Sequence, residues 1–225
     1  MEYQMPESAC LLCKSKFKTR GMGRHITACL KKQSVKTKIE SPKRRYYFSV
    51  RDAYNNDYFL FLLASQNSTL KDLDIFLRKI WLECCGHMSA FSWQKRGGDI
   101  PKKTKIKTIF SIGSILTYVY DFGSSTELSV KFLGTFDGAL KNREKIVILS
   151  RNARPEIPCD ECGDFPAVHI CGECQWEGDN WLCKKCGADH ECGDEMFLPA
   201  PNSPRAGVCG YTGGMGGKYP LPEIL

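Results

Sequence analysis

An α+β fold, with a mainly antiparallel twisted sheet, one main helix and a small cysteine-rich module at either end, is the class the sequence predicts. Three observations carry that reading. Short runs of β-branched and aromatic residues recur between turn residues from Tyr46 to Arg151, while residues 69–81 follow a helical period instead. Eleven of the 13 cysteines gather in two clusters outside that span. Several strands with a single good helix and no repeated βαβ alternation make an α+β sheet.

The elements follow in order. YYFSV (46–50) and YFLFLLA (58–64) read as paired strands about the turn Asn55-Asn56-Asp57. The main helix is TLKDLDIFLRKIWLE, where Leu70, Leu73, Phe76, Leu77, Ile80 and Trp81 recur at helical spacing. Thr69 and Asp72 form a T-x-x-D capping box at its start. AFSWQ (90–94), TKIKTIF (104–110), ILTYVYDF (115–122), ELSVKFLGTF (127–136) and EKIVILS (144–150) read as the remaining strands.

A chain of 225 residues with 42% hydrophobic content supports one ordinary core plus small modules, not two full domains. The division expected is a finger at 1–30, a basic linker at 31–45 containing Ser41-Pro42, the core at 46–151, a cysteine-rich domain at 152–210 and a Gly/Pro-rich tail at 211–225. MEYQMPESACLLCK lacks a signal-peptide core and no run of about 18 apolar residues occurs, so the expectation is a cytoplasmic protein outside any membrane. Charge is graded along the chain. Residues 1–45 hold 12 Lys and Arg against 3 Asp and Glu, whereas residues 152–225 hold 5 against 12. A polyanion therefore meets the front of this protein, not the back.

Disulfide frameworks belong to small secreted chains, and these cysteines stand mostly as C-x-x-C pairs near histidine, which is ligand spacing for tetrahedral zinc. At the N-terminus the pattern is Cys10-x2-Cys13-x11-His25-x3-Cys29. Two thiolates on a hairpin knuckle and two ligands one helical turn apart close a tetrahedron, with Phe17 and Met22 as the small core of a ββα finger. Near the C-terminus three knuckles, Cys159/Cys162, Cys171/Cys174 and Cys183/Cys186, precede His190, Cys192 and Cys209, the right count for two more ions and about three in all. Cross-bracing pairs Cys159 and Cys162 with Cys183 and Cys186, and leaves Cys171 and Cys174 to His190, Cys192 or Cys209; sequential ribbons are the alternative. The cross-braced arrangement resembles the ZZ and B-box class, which binds proteins. Cys84 and Cys85, at the end of the apolar helix, read as inert core thiols. His169 reads as a surface or supporting residue, and Trp176 and Trp181 as the core of the C-terminal module.

Lys14, Lys16, Lys18, Arg20, Arg24, Lys31 and Lys32 give the finger a basic face suited to phosphates. The base-facing helix positions fall near Lys18, Gly21 and Arg24, and a single finger covers only about 3 bp, so sequence selectivity is not expected. Lys102, Lys103, Lys105 and Lys107 extend that surface if they share a face with the finger.

Thr69 to Leu73, His87 to Phe91, and Tyr118, Tyr120, Asp121, Phe122 and Gly123 together resemble the insertion-element passenger protein family, also called Ri-plasmid ORF-three-like, over residues 46–150. The resemblance implies an α+β fold and a link to mobile elements or nucleic acid, with no established reaction. Ser124-Ser125-Thr126 stands where that family often has Asp-Ser-Trp. Asp121-Phe122-Gly123 is not a kinase signature, because the Gly-rich loop, H-R-D and lysine strand are missing. The function expected is a non-enzymatic zinc protein associating with DNA or structured RNA and contacting protein through its acidic end. A protein-interaction adaptor is the alternative, and an enzyme with a pocket near His87 and Asp121 the second.

Overall fold

The computed structural model describes residues 6–36, 44–93, 97–138, 144–176, 178 and 180–214, leaving aside the side chains of 34–36 and 176. A short hairpin, β1 (Ser8–Ala9) and β2 (Lys16–Phe17), leads into helix α1 (Thr19–Lys36). The core follows as β3 (Arg44–Asp52), β4 (Phe59–Ser65), α2 (Leu70–Leu77), a π-helical turn at Arg78–Leu82, β5 (Ser89–Ser92), α3 (Ile106–Ile109), β6 (Ile115–Tyr120), β7 (Thr126–Asp137) and β8 (Ile146–Arg151). The C-terminal part contributes β9 (His169–Cys171), β10 (Trp181–Leu182), α4 (Lys184–Ala188) and β11 (Phe197–Pro199).

Six strands form one sheet in the order β5-β6-β7-β3-β4-β8, every pair antiparallel, so the fold is α+β. One face of the sheet is covered by α2. Its capping box is complete, with the Thr69 hydroxyl accepting from the Asp72 amide and the Asp72 carboxylate accepting from the Thr69 amide at 2.9 Å. Leu70, Leu73, Phe76, Leu77, Ile80 and Trp81 are all buried against Phe48, Val50, Leu60, Leu62, Tyr118, Leu128, Val130 and Ile148. The helical period read from the sequence is the packing face.

The opposite face is sealed by α1. Met22, Ile26, Cys29 and Leu30 pack on Tyr47, Phe59, Phe61, Leu63, Phe136, Val147 and Leu149. Gly23 lies so close that a Cβ there would stand 3.2 Å from Phe61 Cζ, which brings the helix axis down onto the sheet. Backbone pairing adds to this contact, since the Leu11 amide donates to the Leu149 carbonyl at 2.8 Å and the Ser150 hydroxyl to the Ala9 carbonyl at 2.9 Å. The finger thus also covers β8, an edge strand whose free backbone groups would otherwise face solvent. Strand β3 slips register against β7 between Tyr47 and Phe48. At that bulge a Cβ on Gly134 would stand 2.7 Å from Tyr47 Oη, so glycine lets the tyrosine ring cross toward the finger side.

Two expected elements differ. TKIKTIF is not a strand: Ile106 and Ile109 are buried three residues apart on α3, and only Lys105 makes an isolated bridge, to Thr69. The linker expected over 31–45 is shorter, because α1 continues to Lys36 and β3 begins at Arg44. Residues 37–43, 215–225 and the Trp176 side chain lie outside the described residues. No helix among the described residues is long and apolar enough to cross a membrane.

Candidate metal centres

All 13 cysteines are free thiols, and all 13 fall, with His25, His87 and His190, into four groups whose ligand atoms lie within 4.8 Å of one another. The first is Cys10, Cys13, His25 and Cys29. Cys10 and Cys13 sit on the β1–β2 hairpin, His25 and Cys29 one turn apart on α1, and Phe17 stacks on the His25 ring at 4.0 Å. The knuckle is a tight turn in which the Lys14 amide donates to the Cys10 carbonyl at 2.7 Å and Lys14 takes φ 66°. The same turn recurs at Cys159-x2-Cys162, where the Gly163 amide donates to the Cys159 carbonyl at 2.8 Å and Gly163 has φ 68°. Each knuckle contributes both of its sulfurs to one ligand group.

The C-terminal module is cross-braced. Cys159 and Cys162 meet Cys183 and Cys186, while Cys171 and Cys174 meet His190 and Cys192. Strand β9 lies between β10 and β11 and delivers Cys171, and Cys183 caps α4 so that Cys186 follows on its first turn. The buried cluster of this module is Cys159, Cys171, Leu182, Cys183 and Cys186, with Phe197 beside it. Ligands that double as the core leave the module little to fold around without an ion. His169 is outside both groups and stacks on Phe197 at 5.2 Å.

Cys209 does not join this module. It lies with Cys84, Cys85 and His87 in a fourth group, 3.5 Å from Cys85 Sγ and 3.7 Å from His87 Nε2. Cys85 is exposed and Cys84 half-buried, so neither is the core thiol expected from its place after an apolar helix. Cys85 and Cys209 are 124 residues apart, a separation that no local spacing announces. The signal in the sequence was arithmetic, since two four-ligand sets use every other C-terminal ligand and leave Cys209 over.

The distances fit a metal. With Zn–S near 2.3 Å and Zn–N near 2.0–2.1 Å, a tetrahedron has ligand–ligand edges of about 3.5–3.8 Å. Observed edges run from 3.2 Å for Cys13 Sγ to His25 Nε2, through 3.4 Å and 3.6 Å for Cys174 to His190 and Cys192, to 3.9 Å for Cys162 to Cys183. A disulfide requires about 2.05 Å.

Acidity in each group is split in the same way. In the finger, burial opposes ionisation of Cys13, but hydrogen bonds from Ser15 outweigh it and bring the thiol to about 6, while burial and the charge of its neighbours push Cys29 to about 12. Cys159 and Cys171 fall to about 7 despite burial, through backbone amides of their own knuckles. Contact with Cys192 pushes Cys174 to about 12, and burial raises Cys186. His87 brings Cys209 to about 7, and Cys209 in turn pushes Cys85 to about 11. One thiolate per group forms readily and blocks the next, a conflict that a divalent cation reverses.

All seven basic residues of the finger are exposed, and none has an acidic partner among the described residues. Lys102, Lys103, Lys105 and Lys107 do not extend that surface. Lys102, Lys103 and Lys105 precede α3 and Lys107 lies on it; its Ile106 and Ile109 pack on the α2 side of the sheet, opposite the finger, and Lys102 is paired with Asp74 at 3.2 Å. His87 and Asp121 do approach, at 3.7 Å, but the carboxylate is held by the fully buried Arg205 guanidinium at 2.8 Å.

No protein-family model and no curated protein matches the chain. Among solved structures it is similar to a crystal structure of a protein of unknown function, MM3350, from Methanosarcina mazei Go1. The match has 16% identity and a TM-score of 0.42, covering 49% of this chain and 70% of that one.

Proposed function

We propose that this is a non-enzymatic zinc protein that uses metal-held elements to mount a basic finger against the phosphates of DNA or structured RNA. One observation carries the reading: α1 is fixed to the sheet by its apolar side, and Lys14, Lys16, Lys18, Arg20, Arg24, Lys31 and Lys32 are all exposed with no acidic partner among the described residues. Cations on a rigid support meet a polyanion without first breaking ion pairs. Zinc suits the mixed thiolate and imidazole donors of the finger and the cross-braced module. The resemblance of residues 46–150 to insertion-element passenger proteins supports the same partner class.

Binding should be salt-dependent and nearly indifferent to sequence. With roughly six phosphate contacts, log affinity falls against log salt with a slope of about −5. Reversing Lys16, Lys18, Arg24, Lys31 and Lys32 to Glu abolishes binding without changing metal content, whereas reversing the exposed Lys184 and Lys185 leaves it intact. Absence of salt-sensitive binding at low ionic strength would overturn the reading. A protein adaptor is then the better account, and an open groove of about 540 Å³ on the C-terminal module, lined by His169, Lys184, Asp194 and Phe197, favours it.

A further inference from the structure

We propose that Cys84, Cys85, His87 and Cys209 form a fourth zinc site, which clasps the C-terminal arm of the chain onto the α+β core. This rests on the zinc reading of the other groups but concerns a different set of ligands with a different task. The finger and the cross-braced module each take their ligands from one stretch of sequence. This group takes three from the loop after the π-helical turn and one from 124 residues further on.

The donor set is three thiols and one imidazole, a tetrahedral complement suited to zinc. Its two measured edges, 3.5 Å from Cys85 to Cys209 and 3.7 Å from Cys209 to His87, match a zinc tetrahedron as well as those of the finger do. The backbone is bent to bring the donors together. Gly86 takes φ 74° between the cysteine pair and His87, and Cys209, a residue with a Cβ, is held at φ 54°. A non-glycine residue in the left-handed region persists where its surroundings demand it.

The surroundings are also built for charge. Three thiolates and a neutral imidazole around Zn²⁺ carry one net negative charge. The Arg205 guanidinium lies beside them, fully buried, with Nε 3.4 Å from Cys84 Sγ. Its other nitrogens are fixed by the Ser124 carbonyl at 3.0 Å, the Thr126 hydroxyl at 3.1 Å and the Asp121 carboxylate at 2.8 Å. Arg205 thus reaches the thiol group from the same arm that supplies Cys209. That arm is already docked, with the Ser203 hydroxyl donating to the Trp81 carbonyl at 2.6 Å and Tyr211 fully buried. Gly214 passes so near the π-helical turn that a Cβ would lie 2.4 Å from the Ile80 carbonyl oxygen. The ion closes this arrangement at its exposed end, because Cys85 and Cys209 both face solvent.

Elemental analysis of the full-length chain, with cobalt substitution as an optical check, tests the proposal. Four ions per chain are expected. Cys85→Ser and Cys209→Ser should each remove one ion in four, and Cys171→Ser should remove a different one, so that Cys171→Ser combined with Cys209→Ser leaves two. Three ions in the unaltered protein, undiminished by Cys209→Ser, would overturn the fourth site and leave the other three standing. One ion or none would overturn the zinc reading as a whole. Should a variant fold poorly, alkylation of the unaltered, metal-loaded protein decides the matter. Cys85 and Cys209 must stay protected until a chelator is added, and immediate labelling, or a disulfide between them, refutes the clasp.

Discussion

Along β4, Leu60, Leu62 and Ala64 point into one core while Phe59, Phe61 and Leu63 point into another, and the two cores are closed by different means. The first is closed by α2, a helix with its own capping box and an apolar face supplied by the chain alone. The second is closed by α1, a helix with Gly21 and Gly23 near its start, no acidic residue in its first turn and two cysteine–histidine ligands on its length. Glycine lowers helix propensity, and acidic residues in the first turn would have favoured the helix dipole. An ion held jointly by this helix and the β1–β2 hairpin would supply what the finger helix lacks in local stability. A sheet strand buried on both faces can therefore depend on metal for one face and not for the other.

Chelation should expose the difference most strongly. Removing metal from the full chain is expected to unfold the C-terminal module and release α1, uncovering Phe59, Phe61, Leu63 and Phe136 and producing strong binding of a hydrophobic dye. The α2 core should keep its cooperative thermal transition. Failure of the dye to bind would mean that the finger holds its face by packing alone.

Truncating one residue of each core sharpens the contrast. Phe61→Ala should cost about 3–5 kcal/mol and Leu73→Ala about 2–5 kcal/mol in the metal-loaded protein, as measured by denaturant unfolding. After chelation the penalty for Phe61→Ala should shrink, because its cavity opens to solvent, while that for Leu73→Ala persists. Thr69→Ala, which removes half of the capping box, should cost about 1 kcal/mol whether or not metal is bound.

Acid should separate the faces by order. Thiolate and imidazole ligands must be deprotonated to bind zinc, so the finger face loosens first as pH falls. On the α2 side, burial opposes ionisation of Asp74, but bonds from Ser89, Tyr118 and Lys102 outweigh it and hold the carboxyl below its usual 3.8. A depressed folded-state value means the stabilisation is full above 3.8 and is lost as pH falls through the lower folded value. Asp74→Asn should flatten that last acid limb and leave metal release where it was.

Much of this was legible in the sequence, for reasons that differ by element. The strands and α2 declared themselves because alternation and a 3.6-residue period each match one buried face. YFLFLLA is apolar on both of its faces. A continuous apolar run marks a strand covered on both sides, and here the second cover is the finger, not an independent module. TKIKTIF alternates like a strand, yet Ile106 and Ile109 are also three residues apart, and tertiary burial chose the helical spacing. Cross-bracing was one of two arrangements the spacing allowed. The grouping of Cys84, Cys85 and His87 with Cys209 arises only when the arm folds back onto β6 and β7, so no window of sequence contains it.

The most direct test of the two-faced sheet is side-chain footprinting of β4 with hydroxyl radicals before and after chelation, read residue by residue by mass spectrometry. Phe59, Phe61 and Leu63 should become labelled when metal is removed, while Leu60 and Leu62, alternating with them on the same strand, stay protected. Labelling of both sets together, or of neither, would contradict the claim that metal closes one face and the chain itself closes the other.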